Sequence, residues 1–384
     1  MLKFSKIASE KHKRQIKIIS LRMSEKVAIF KELQIEYGIK NAREISTYKG
    51  GGDAIVARPD SVEKLCECVA LLKDEKVKFA MLAKGSNTLV SDGLCETVLI
   101  DTKGLKDVEI CGEYVYALCG ASVRKVVEKG REKGLCGLEF LSGAPCSVGG
   151  VVKMNASAFS TQTSDYVDEL YILNLDCANC NKIESGNEKC KTQDLLAVDK
   201  QKSQDFFMAD GRDVYGFFGG MELGKTQDFS IGVNGEFFEY TGIGELIEKG
   251  VVSVVKGDKI DWGYRKGAWG IVLGAKMKLI RSKAGESQKL ASFYLEKRRE
   301  KQPALPSLGS VFKNGKIASG KLIEACGLKG MKIGGAMISE KHANFVVNVG
   351  GGSASDYVLL ANECKRRVFE RFGVELEEEY VRRE

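Results

Sequence analysis

Two glycine-rich segments, "AKGSNTLVSD" (83–92) and "SGAPCSVGGVVKMNASA" (142–158), restrict most strongly what this chain can fold into. Consecutive backbone N–H groups in such turns form concave nests that attract anions. Glycine there lets a phosphate approach without meeting a side chain. Two nests suit a dinucleotide, although either turn taken singly reads more simply as a tight connection between strands.

The elements around these turns follow from hydrophobic spacing. Val62, Leu65, Cys66, Val69 and Leu72 recur at helical intervals behind Asp60 and Glu63, which read as a capping box. Strand-like runs "DAIVARP", "KFAMLA", "TLVS" and "TVLID" flank that helix, so the order β, α, β, turn, β describes a small α/β unit closing near residue 105. A hairpin in "DVEICGEYVYALCG", a helix over 122–133 with Val123, Val126 and Val127 inward, and strands at 168–176 and 269–280 make a second unit. Residues 177–260 are polar, rich in Gly and Phe with no clear period, and read as an insertion or a long loop region. A charged helix, "SQKLASFYLEKRREKQP", opens a third region. It closes on a helix with Tyr357, Ala361, Cys364, Val368 and Phe372 on one face and Gly373 at its stop. The expected organisation is therefore 1–44, a basic leader and N-terminal helix; 45–105; 106–285, carrying the insertion; and 286–384.

Charge narrows the function classes. Residues 1–22 hold seven basic side chains against the single Glu10, so six of the formal +7 charges lie there and the rest of the chain nets +1. A nearly neutral body without an arginine and aromatic stripe predicts no nucleic-acid footprint. The leader lacks the apolar core of a secretory signal and reads as a tail, or as residues translated ahead of a start at Met23. No apolar run approaches the roughly 20 residues that span a bilayer, so no membrane role is expected. The twelve cysteines are dispersed, which predicts reduced thiols in the cytoplasm. Cys177, Cys180 and Cys190 form the one grouping. With no fourth ligand nearby they read as a Cys-rich hairpin turn before a zinc site, and no metal is assigned.

The inventory of reactive side chains is short. With His12 and His342 as the two histidines, a Ser-His-Asp triad or a histidine-based zinc site is close to excluded. Proton chemistry must use serine, tyrosine, lysine, cysteine or carboxylates. No Walker or nucleophile-elbow motif is present. Read singly, Arg265 in "DWGYRKG" is as simply a surface charge, Ser310 in "SLGSVFKN" a loop residue, Asn314 a loop cap, and Glu375, Glu377, Glu378 and Glu379 a solvated terminus.

In order and at domain-scale spacing, six segments resemble the UDP-N-acetylenolpyruvoylglucosamine reductase family. They are "STYKGGGDAIVARP" (46–59), "LAKGSNTLVSDG" (82–93), "GLEFLSGAPCSVGGVVKMNASAF" (137–159), "GYR" (263–265), "EKRREKQPALPSLGSVFKN" (296–314) and "GKLIEACGLKGMKIGGAMISEKHANFVVN" (320–348). The resemblance implies an α+β chain: an FAD-binding fold of the vanillyl-alcohol-oxidase type, made of two α/β subdomains, followed by a C-terminal α+β substrate domain. It implies FAD reduced by NADPH, a UDP-sugar substrate, a cytoplasmic setting, and a monomer or weak dimer. Family cofactor contacts fall on Gly85, Ser86, Asn87 and Thr88, and on Gly143, Ala144, Ser147, Val148, Gly149, Gly150 and Asn155. Tyr264 and Asn314 match substrate contacts. Arg265, Ser310 and Glu379 match the catalytic residues: Arg265 and a protonated Glu379 would stabilise an enolate, and Ser310 would deliver a proton to it.

Departures from the family pattern are local. Ala83-Lys84 stands where the family carries glycines, and Lys266-Gly267 follows the Tyr-Arg pair in place of a polar residue and serine. Asn155 and Tyr264 are 109 positions apart, wider than the family spacing, which agrees with the insertion. The family's L-x-x-E-V-R becomes Leu376 to Arg382 with one residue too many, so Glu378 is an alternative to Glu379. Two other functions stay open on the residues: a flavin dehydrogenase of this fold with another substrate, and a paralogue that binds nucleotide without turnover.

Overall fold

The computed structural model describes residues 28–175 and 235–384. The basic leader, the Cys177, Cys180 and Cys190 grouping and most of the expected insertion lie outside the described residues. Strand β1 (Glu36–Asn41) runs antiparallel to β2 (Asp53–Arg58), which the helix α1 (Val62–Asp74) follows. Strands β3 (Phe79–Leu82), β4 (Thr88–Val90) and β5 (Leu94–Asp101) come next, and the sheet order is β1-β2-β5-β3, parallel at β2/β5 and β5/β3. The sequence places only a helix ahead of residue 45, so β1 is an addition. All five apolar positions read for α1 are buried. The cap differs from expectation: the helix starts at Val62, so Ser61 is the last non-helical residue and its hydroxyl accepts the Lys64 N–H at 3.2 Å. Asp60 instead pairs with the Lys64 ammonium at 3.0 Å.

The second sheet is antiparallel throughout. Its strands are β6 (Val108–Cys111), β7 (Tyr114–Leu118), β8 (Val167–Leu173), β9 (Val252–Lys256) and β10 (Ile271–Lys278), in the order β9-β8-β10-β7-β6. Helices α2 (Val123–Glu132) and α3 (Val148–Lys153) pack on it, with Val123, Val126, Val127, Val148, Val151 and Val152 in one core. The last part of the expected insertion, 235–260, carries regular elements. Helices over Gly235–Thr241 and Ile243–Glu248 bury Phe237, Ile243 and Leu246 beside α1, and β9 completes the sheet edge. A five-residue strand at an edge carries too short an alternation to stand out in a polar stretch.

Helix α4 (Glu286–Lys301) leads to a third sheet of β11 (Ser307–Ser310), β12 (Lys332–Ile333), β13 (Ala336–Ile338) and β14 (Phe345–Asn348), ordered β11-β14-β13-β12. Helix α5 (Ala354–Phe372) covers it with Tyr357, Leu360, Ala361, Cys364 and Val368. Phe372, expected on that face, is 40% exposed, because the last turn passes the core edge before Gly373 stops the helix at φ 63°. No described helix is long and apolar enough to cross a membrane.

The chain then returns to where it began. Strand β15 (Val381–Arg383) pairs parallel with β4, beside the first glycine-rich turn. The loop before β2 supplies Tyr48 to the third core, where its ring meets Tyr357 edge-on at 5.0 Å. Asp92 accepts the Ala354 and Ser355 N–H groups at 2.9 Å each, tying the first unit to the start of α5. Buried Asn348 fastens both sides. Its Nδ2 donates to the Tyr48 and Lys49 carbonyls at 3.1 Å each, and its Oδ1 accepts from the Gly350 and Gly352 N–H groups at 2.9 and 3.0 Å. Asn348→Ala leaves those groups unpaired and should lower the unfolding free energy by about 2–4 kcal/mol in urea denaturation. A loss within about 0.5 kcal/mol, the range of an ordinary surface substitution, would show that the clasp is ornamental.

Candidate active site

The first turn joins β3 to β4. Gly85 adopts φ 65°, and a Cβ there would run into the Ile45 carbonyl oxygen, so glycine is required on two counts. Among the described residues, the N–H groups of Lys84, Gly85, Ser86 and Asn87 donate to no protein acceptor. That leaves a run of donors of the kind that binds phosphate. Asn87, expected against the cofactor, turns its side chain elsewhere. Its Nδ2 donates to the Glu379 carbonyl at 3.0 Å, and its own carbonyl accepts the Val381 N–H at 2.9 Å. Thr88 begins β4, and its carbonyl accepts the Ser46 hydroxyl at 2.9 Å.

The second turn is held from behind by α4. Arg298 donates from Nε to the Ser142 carbonyl at 2.8 Å and from Nη2 to the Phe140 carbonyl at 2.9 Å, while Gly143, at φ 83°, lies against Leu295. The N–H groups of Ala144, Val148 and Gly149 donate to the carbonyls of Leu141, Ala121 and Cys119 at 3.0, 2.9 and 2.8 Å, so these amides shape the turn. The polar group left over is the Ser147 hydroxyl. It is buried, it heads α3 without capping it, and it has no hydrogen-bond partner. A Cβ on Gly150 would sit 3.4 Å from that of Ala83, so the two turns meet here. Free amides on one turn and an orphaned buried hydroxyl on the turn packed against it fit the pyrophosphate of FAD.

The third component is a tight turn. Gly263 and Lys266 exchange backbone hydrogen bonds of 2.9 and 3.1 Å, which puts Tyr264 and Arg265 at the tip with Arg265 at φ 56°. Asn155, also expected against the cofactor, is buried and holds this turn. Its Nδ2 donates to the Gly263 carbonyl at 3.2 Å, and its Oδ1 accepts the Ser164 N–H at 3.0 Å. From the tip, Arg265 donates through Nε to Glu379 Oε1 at 2.6 Å and through Nη1 to the Ser157 hydroxyl at 3.3 Å.

Ser310 arrives through the backbone. It ends β11, and the next residue, Val311, accepts the Glu379 N–H at 2.8 Å. The Ser310 hydroxyl has no protein partner among the described residues. Asn314 donates its N–H to the Tyr264 hydroxyl at 3.3 Å, while its Oδ1 accepts the Ser319 N–H at 3.2 Å, so its side chain caps a helix start. Arg265, Glu379, Tyr264 and Asn314 are thus linked, with Ser310 one residue before Val311, whose carbonyl holds the Glu379 N–H.

The two glutamates left open by the register part company. Burial opposes ionisation of Glu378, but Lys365 and Arg382, each 2.6 Å away, outweigh it and hold this carboxyl below the usual range. Burial pushes Glu379 up, against the pull of Arg265, Lys313 and the nearby Tyr264 hydroxyl, and its buried Oε2 accepts no hydrogen bond of normal geometry. Sequence reasoning missed three supports: Ser157, Arg298, and Asn344, whose side chain exchanges hydrogen bonds of 2.8 and 3.0 Å with the Phe312 backbone. A buried asparagine within apolar "NFVVN" was the available signal for the last; the others carry none.

Residues 54–177 match the family described as FAD binding domain, and residues 301–382 match UDP-N-acetylenolpyruvoylglucosamine reductase, C-terminal domain. The chain is 33% identical over 349 residues to a UDP-N-acetylenolpyruvoylglucosamine reductase from Caldicellulosiruptor bescii, covering 88% of this chain and 87% of that one. To the Chloroherpeton thalassium protein of the same name it is 30% identical over 351 residues, covering 87% and 88%. The crystal structure of the Thermus caldophilus reductase superposes with a TM-score of 0.62 at 23% identity, over 91% of this chain and 100% of that one, and so shares the fold. The α+β architecture with an FAD-binding fold is the expected one, and on identity across most of both sequences the chain belongs to the UDP-N-acetylenolpyruvoylglucosamine reductase family.

Proposed function

We propose that this chain reduces the enolpyruvyl group of UDP-N-acetylglucosamine enolpyruvate to give UDP-N-acetylmuramate, with NADPH as reductant, FAD as carrier, and Arg265, Ser310 and Glu379 as catalytic residues. The observation that carries the assignment is the Arg265–Glu379 contact, with Glu379 Oε2 buried and accepting no hydrogen bond, on a backbone held by the residue after Ser310. A buried polar atom with no partner calls for an explanation, and a substrate that completes it is a sufficient one.

The amides of residues 84–87 and the Ser147 hydroxyl would hold FAD, which when bound would supply the hydride equivalent for the reduction. The protein's part is electrostatic and protic. Charge builds on the neighbouring carbon and its carboxylate. A guanidinium has five N–H donors, and Arg265 directs one to Glu379 and one to Ser157, keeping the others for the developing enolate. Glu379, protonated, presents Oε2–H to the same charge. Serine is too weak an acid for most substrates, but a carbanion within hydrogen-bond reach is basic enough to take its proton. The reaction belongs in the cytoplasm, where nucleotide-linked sugars and NADPH are found. A monomer or weak dimer suffices, because every residue in the proposal comes from one chain.

Anaerobic reduction of the bound flavin with NADPH, followed by addition of the enolpyruvyl sugar, should reoxidise it. A flavin that stays reduced would point to another oxidant, and a chain without flavin to a non-catalytic binder. Ser310→Ala should keep flavin reduction and lose about 10²–10⁴ in transfer to substrate; full turnover would remove the proton-donor role. Ser147→Ala should weaken FAD about tenfold in titration of the apoprotein while leaving its melting temperature unchanged or higher, since an orphaned buried hydroxyl is removed. Because the Glu379 carboxyl is raised, its protonated form persists above the ordinary range and is lost as pH rises through the shifted value. The transfer rate should fall along that limb, and Glu379→Gln, neutral at every pH, should abolish the limb in a pH profile.

A further inference from the structure

The residues between α3 and β8 touch both Arg265 and the turn that carries it. Leaving the second glycine-rich turn, the chain passes through α3 to Asn155 and then into a small hairpin, Ser157–Ala158 paired with Thr161–Gln162. Phe159 and Ser160 form its two-residue tip at φ 54° and 62°, a left-handed conformation that residues other than glycine adopt only when held. Here the Phe159 ring lies 4.9 Å from Tyr294 and 5.5 Å from the Arg298 guanidinium, both on α4. The Ser157 hydroxyl meets Arg265 Nη1 at 3.3 Å, on the opposite terminal nitrogen from the Nε bound by Glu379. Asn155 grips the carbonyl of Gly263 at the start of the Arg265 turn. Gly267, just after that turn, abuts the Val152 carbonyl of α3 so closely that a Cβ has no room.

We propose that Ser157, backed by Asn155, is a positioning residue for Arg265: it fixes the guanidinium from the side opposite Glu379, so that the remaining N–H groups face the enolate. The proposal rests on the reductase reading above. It also ties the cofactor seat to the reacting end, since one continuous segment carries Ser147, α3, Asn155 and Ser157. Two hydrogen bonds orient a planar fork that one alone would leave free to swing about the Glu379 contact.

A shape-matched pair of variants isolates the hydroxyl. In the FAD-loaded full chain, Ser157→Val should slow reoxidation of reduced flavin by the enolpyruvyl sugar about tenfold, whereas Ser157→Thr should stay within about threefold. The loss should fall on kcat more than on KM, and the Glu379 pH limb should move to higher pH as the guanidinium loosens. Equal losses in both variants, or none in either, would overturn the positioning role. Ser157→Ala takes the place of valine if that variant does not hold FAD, with the same outcomes. Absence of reoxidation in the parent chain would instead remove the reductase reading, which separates the two failures.

Discussion

Residues 377–383 are gripped on two sides, and the site depends on it. On one side the Lys313 N–H donates to the Glu377 carbonyl at 2.9 Å and the Glu379 N–H to Val311 at 2.8 Å. On the other, Asn87 holds the Glu379 carbonyl and Val381, and β15 continues parallel to β4. A carboxyl side chain on an unpinned tail would seek water. Pinned through its own backbone, Glu379 is carried into a buried position, and burial raises its proton affinity. Its neighbour Glu378 points to Lys365 and Arg382 and stays ionised.

The same clamp joins the first glycine-rich turn to the C-terminal segment. Asn87 belongs to the turn offering free amides to a phosphate, and Val311 follows Ser310. The first glycine-rich turn, the segment after Ser310 and Glu379 are therefore joined by three backbone hydrogen bonds and one side-chain amide rather than by flexible side chains. Rigid placement of this sort is what makes electrostatic stabilisation effective, since dipoles already in place need no reorganisation as charge develops. Arg265, strained at φ 56° on its turn, is set by the same logic from Asn155 and Ser157.

Much of the fold was legible because its signals are local. The α1 and α5 faces follow from apolar spacing, the α2 start from Ser122, and the stop of α5 from Gly373. The glycines at 85 and 143 stand at positive φ, as turns that approach a ligand or a neighbouring backbone require. The expected site residues are motif positions, and among them Asn87 and Asn155 turn their side-chain amides to the Glu379 and Gly263 carbonyls. An asparagine in a glycine-rich segment serves equally to meet a phosphate and to brace a loop, and its neighbours in sequence do not distinguish the two.

What the sequence by itself determined is which stretches become helix, strand and turn, where glycine is obligatory, and which residue types are available for chemistry. The tertiary structure alone decided which of two adjacent glutamates meets Arg265, that Val252–Lys256 closes a sheet, and that Ser157 faces the guanidinium. The reason is range. Periodicity and capping act over a few residues and leave their imprint there, whereas a hydrogen bond between positions 157 and 265, or 87 and 379, depends on every intervening element packing in one way.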